Sequence, residues 1–146
     1  MKFLYMNQYR DMMIRQTKEQ ILFFLKNSIE FNIIVNMDSG ISFSPELPKY
    51  ISSGFANFTL FAIAGYTFKS AYVENNTLVF EAGFGKENFG SIVRVDIDRI
   101  LQIVKDETPI FINTIASIPQ QANKNSMEVF KSKSKNQKFF KNKTNE

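Results

Sequence analysis

The chain has 146 residues, 44% of them hydrophobic and sixteen of them Phe, enough to bury one aromatic-rich core in a single domain. It contains no Cys, His or Trp, which excludes disulfides, thiolate nucleophiles, Cys/His zinc sites and imidazole acid–base catalysis. The formal charge of +4 belongs to the tail: beyond residue 118, seven lysines against two glutamates give +5, so the body carries −1 and no basic face is expected on it.

The first residues, MKFLYMNQYR, lack the apolar centre and small-residue cleavage site of a signal peptide. The apolar run at 55–68 falls short of the roughly 18 residues that a membrane span needs. A cytoplasmic protein with no membrane partner is expected.

Residues 9–27 form the first predicted element, an amphipathic helix. Met13, Ile14, Ile21, Phe24 and Leu25 recur at helical spacing, with Arg10, Arg15, Lys18 and Glu19 between them. Two roles stay open for it: covering one face of a sheet, or also meeting a second subunit. FNIIVNM at 31–37 reads as a strand stopped by Asp38-Ser39-Gly40. Pro45 and Pro48 make 41–50 an edge strand or a surface loop, because each removes a ladder donor, and Gly54 marks the return.

At 55–68 alternation gives way to the continuous run Phe61-Ala62-Ile63-Ala64, which suits a strand buried on both faces, with a short buried helix as the alternative that period alone leaves open, and a bend at Gly65. Asn75-Asn76 is a turn leading into a strand at 77–82. Gly83, Gly85 and Gly90 then let the backbone bend or approach another chain closely. They are not a phosphate loop, since no Lys-Ser/Thr follows and the segment opens onto a strand. Val93, Val95 and Ile97 alternate, after which Ile97, Ile100, Leu101 and Val104 take helical spacing.

A short helix starting at Asp96 is therefore expected. Asp96 and Asp98 could form a carboxylate pair, but Asp96 as N-cap and Asp98 in the first turn explain both more simply. Glu107-Thr108-Pro109 ends that helix, and 110–115 returns as a last strand. From Pro119 onward the sequence loses its apolar period, and 119–146 reads as a flexible, disordered, Lys-rich tail following a domain at 1–118. Two apolar islands interrupt it, Met127-Glu128-Val129-Phe130 and Phe139-Phe140. The fold class is α+β: an N-terminal helix, a small, strongly bent β-sheet or barrel, a short helix and the tail.

Phe80-Glu81-Ala82-Gly83-Phe84-Gly85, followed by Val93-Arg94-Val95-Asp96-Ile97-Asp98-Arg99-Ile100-Leu101-Gln102-Ile103, resembles the stringent starvation protein B (SspB) family, whose members carry patterns like F-x-A-R-F-G-G and V-x-V-P-x-x-A-[IV]-L-x-I-Y. The segment 61–68 is similar to the family's L-N-I-x-P-x-A-V, so the resembling segments lie between residues 61 and 103. Gly83 stands where the family has Arg, Lys86 where it has a second Gly, and Asp96 where it has Pro.

The resemblance implies a non-enzymatic adaptor of the ClpXP protease. A small barrel of Sm-like shape binds the unstructured degradation tag of a substrate in a groove, the N-terminal helix forms a homodimer, and a tail motif docks on the unfoldase ClpX. No cofactor and no metal are implied. The groove is expected near Ile63, Ala64, Ala82, Gly83, Phe84 and Gly85, where glycines beside apolar strands admit an extended peptide. The tail motif corresponds to Met127, Val129, Phe130 and Lys131. The competing reading is an RNA-associated small barrel whose tail lysines contact phosphates while Phe139 and Phe140 stack on bases. The acidic body and its lack of an aromatic nucleic-acid signature argue against it.

Overall fold

The computed structural model describes residues 2–118. A 3-10 turn at Lys2–Tyr5 precedes helix α1 (Asn7–Lys26). Met13, Thr17, Ile21 and Phe24 form its buried stripe, the i, i+4, i+8, i+11 pattern that puts side chains on one helical face. The helix stops where Asn27 donates both its backbone N–H and its carboxamide to the Phe23 carbonyl, and Ser28, at φ 57°, turns the chain into the first strand.

The chain then runs through β1 (Phe31–Asn36), β2 (Ile41–Ser44), a single helical turn α2 (Lys49–Ser52), β3 (Phe58–Ile63), α3 (Gly65–Ser70), β4 (Tyr72–Glu74), β5 (Thr77–Phe84) and β6 (Phe89–Asp96). A 3-10 turn at Ile97–Arg99 carries it into β7 (Ile100–Lys105) and β8 (Thr108–Ile112), and a last 3-10 turn spans Thr114–Ser117. The strands make two antiparallel four-stranded sheets, ordered β3-β1-β7-β8 and β2-β6-β5-β4. The architecture is α+β, as expected. Among the described residues no ladder joins the two sheets; a shared core holds them face to face. Ile33, Val35, Phe61, Ile63 and Ile103 of the first sheet pack with Leu78, Phe80, Val93 and Val95 of the second, and Ile21 and Phe24 of α1 close the cluster. Edge-to-face and tilted rings, Phe61 against Phe80 and Phe84 among them, account for much of the contact.

Three expectations need correction. The helix expected from Asp96 is only the one-turn Ile97–Arg99, and the rest of that segment is strand β7. Bulges interrupt its ladders, opposite Ile34/Val35 of β1 and at Ile103/Val104 against β8. A bulge shifts the inward-facing positions by one residue, so Ile100, Ile103 and Val104 are all buried and imitate a helical period. The run at 55–68 is not a strand buried on both faces: β3 is an edge strand pairing only with β1, and it leaves Phe58 and Leu60 on its outer side 44% and 51% exposed. The last strand begins two residues earlier than expected and ends at Ile112, with Pro109 tolerated because β8 is an edge.

The two aspartates differ from expectation as well. Asp96 makes no side-chain cap; its carboxylate accepts a 3.4 Å bond from Thr77. Buried Asp98 pairs with Arg10 of α1, which fastens the helix to the crossover between the sheets. Next to it, fully buried Arg99 reaches Asp38 at 2.9 Å and the carbonyls of Ile115 and Ile118 at 3.4 and 3.2 Å. A buried guanidinium needs such partners, because unpaired it would forfeit several kcal/mol of solvation.

Candidate functional site

The β5–β6 hairpin builds the site. Its register pairs Glu81 with Ile92, Gly83 with Gly90 and Phe84 with Phe89, closing over the loop 85–88. Strand alternation sends Phe80, Val93 and Val95 into the core and Glu81, Gly83, Gly90 and Ile92 to the outer face. Two glycines facing each other there leave a stretch of sheet without side chains. A methyl group at Gly90 would meet nothing within 4 Å, so that half of the floor is open. Gly83 is different: a Cβ would lie 1.8 Å from Asn88 Oδ1, so this glycine makes room for the Asn88 carboxamide.

Around this floor lies an open groove of about 520 Å³. Ala64, Tyr66 and Thr67 at the start of α3 line one side, Ser44 and Pro45 the other, and Asn88 stands at the hairpin end. α3 is held in place by two bonds. Glu30 Oε2 accepts from the backbone N–H of Gly65 at 2.8 Å, where φ is +58°, and Ser70 Oγ accepts from the backbone N–H of Glu81 at 2.9 Å. The second bond also fixes strand polarity. Since Glu81 N–H points away from β6, so do the N–H and C=O of Gly83, two residues on. β4 covers this edge of β5 only as far as the pairing of Tyr72 with Val79. From Glu81 onward, among the described residues, no strand occupies it.

Tyr66 reaches over the groove and donates its hydroxyl to Glu81 Oε1 at 2.7 Å. That bond, reinforced by the carboxylate charge, pushes the phenol above its usual range, so the hydroxyl stays protonated and keeps donating. A floor open at Gly90, the Asn88 carboxamide beside it and an apolar wall at Ile92 suit an extended polypeptide segment. Among the described residues no group of Asp and Glu is placed to hold a metal ion.

No family model, curated protein or solved structure matches the chain.

Of the six residues expected at the groove, the structure brings three together on it: Ala64, Ala82 and Gly83. Ile63 is fully buried in the core, and Phe84 packs against Phe43, Phe55 and Phe61 beneath the sheet. Gly85 sits in the hairpin loop at φ +75°, with Ile51 3.2 Å from where its Cβ would be. Nothing in the sequence singles out Tyr66, Glu81, Asn88 or Ile92 for the groove. Gly90 did carry a signal: it and Gly83 are equidistant from the centre of the loop at 85–88, the spacing of a cross-strand pair. The tail positions Met127, Val129, Phe130 and Lys131 lie outside the described residues, as do Phe139 and Phe140.

Proposed function

We propose that this chain is a non-enzymatic, cytoplasmic adaptor of the SspB type: it holds the unstructured degradation tag of a substrate in the β5–β6 groove and delivers that substrate to the ClpX unfoldase of the ClpXP protease. The observation that supports the peptide-binding part is the glycine pair Gly83–Gly90 on the outer face of the β5–β6 hairpin, open at Gly90. A main chain can approach the floor closely there, where no side chain stands in the way. The resemblance of 61–103 to the family supports the delivery part, with ClpX docked by the tail motif at Met127–Lys131.

Tethering alone raises the substrate's local concentration at the protease, by about 10²–10⁴-fold in general. A homodimer through α1 belongs to the same proposal. Leu22 and Phe23, 43% and 56% exposed on that helix, supply apolar surface for it. Among the described residues no helix is long and apolar enough to cross a membrane.

Degradation of a tagged fluorescent reporter by purified ClpXP tests the proposal. Adding the full chain is expected to lower the KM for the tagged reporter and to leave an untagged one unaffected. Equal rates with and without the protein would remove delivery from the account.

A further inference from the structure

Among the described residues that line the groove, Glu81 alone carries a formal charge. It lies on the outer face two residues along β5 from Gly83, paired in register with the apolar Ile92. Tyr66 binds one carboxylate oxygen and thereby holds the side chain over the groove. A second carboxylate, that of Glu30, is fixed beside Ala64 through its bond to the Gly65 N–H. The nearest cations in sequence, Lys69 and Lys86, are exposed and do not line the groove. The position nearest the floor that could have carried a cation is Gly83, and a side chain there would collide with Asn88.

We propose that the groove selects extended segments carrying a Lys or Arg, with Glu81 as the specificity-determining residue. This rests on the peptide-binding reading above and names the chemical class of its ligand. A cationic side chain laid in the groove meets the Glu81 carboxylate; opposite charges in contact attract, and like charges repel by a similar amount. At an exposed position each effect is modest, so replacing a Lys by a Glu in the ligand is expected to weaken binding by about tenfold. The apolar Ile92, 39% exposed on the other strand, flanks the same site and fits the aliphatic stem of a lysine or arginine.

The test uses the full chain and three labelled, unstructured peptides of one length that differ at a single site: Lys, Gln or Glu. Anisotropy titrations at low salt are expected to rank them Lys, Gln, Glu from tightest to weakest. The Lys-to-Glu ratio should fall toward one in Glu81→Gln, and also in wild type at high salt, where exposed pairs are screened. If the three peptides bind equally well to wild type, the charge selection is wrong while the peptide groove stands. If the Glu peptide binds best, the sign is wrong and another cation governs the site. If none binds, both this inference and the peptide-binding reading fall.

Discussion

At the scale of single residues, the charged cluster where the chain crosses from one sheet to the other ties α1, the β1–β2 turn and the C-terminal 3-10 turn together. Arg99 shows why Gly40 is a glycine: a Cβ there would sit 2.6 Å from Arg99 Cγ, and the residue has φ +73° besides. Asp96 lies at the edge of this cluster, its N–H bonded to the Gly40 carbonyl at 2.8 Å. Its carboxyl is held above the ordinary carboxylate range, first by desolvation and then by the charge of Asp98, against weaker opposing pulls from Thr77, Arg99 and Arg10. The folded state therefore keeps this proton to a higher pH than the unfolded chain does. Stability associated with Asp96 is full below its unfolded value and is lost as pH rises through the folded one. In Asp96→Asn that loss is absent, so its melting temperature should gain on wild type between about pH 3 and about pH 7. Thermal melts across that range check it; a gain of the opposite sign would mean that the arginines dominate the site. Both aspartates were visible in the sequence as acidic residues at an element boundary. Their partners were not, because Arg10 and Thr77 come from elements distant along the chain.

At the scale of elements, what the sequence made legible was local and what it hid was set by pairing. The N-terminal helix, the Asn75-Asn76 hairpin and the strand at its far side are written in period and turn chemistry, and they stand as α1 and β4–β5 within a few residues. β7 was obscured by its bulges, which depend on the partners β1 and β8 and have no mark in the residues of β7 themselves. The edge position of β3 is hidden for a related reason: among the described residues it has no second neighbour, and composition does not report an edge. The strand and helix readings of 100–105 make different demands on side chains. In the strand, Ile103 is fully buried while Leu101 is only partly so, whereas helical spacing from Ile97 would have put Leu101 in the core and left Ile103 outside it. Ile103→Ala is expected to cost about 2–5 kcal/mol, and Leu101→Ala clearly less. Urea denaturation of the two variants measures both, and a reversed order would contradict the strand.

At the scale of the whole molecule, two sheets share one core while the outer face of the second sheet is left with a glycine floor open at Gly90. Part of that site was legible, because a cluster of glycines after a strand marks close backbone approach whatever the partner. The rest depends on α3 folding back against β5 and bringing Tyr66 and Ala64 to the hairpin, a tertiary contact without a local signature. The central claim is that an extended peptide lies over the glycine floor at Gly90. Its most direct test is fluorescence anisotropy of a labelled degradation-tag peptide with the full chain, wild type against Gly90→Val. Gly90 has free space at its Cβ and no positive φ, so a β-branched residue should fit the strand and leave the fold, checked by circular dichroism, unchanged. Binding with a Kd of micromolar order is expected for wild type, with a loss of at least about tenfold in Gly90→Val, the magnitude of one obstructed close contact. Equal affinity of the two proteins, or no binding by wild type at high concentration, would contradict it.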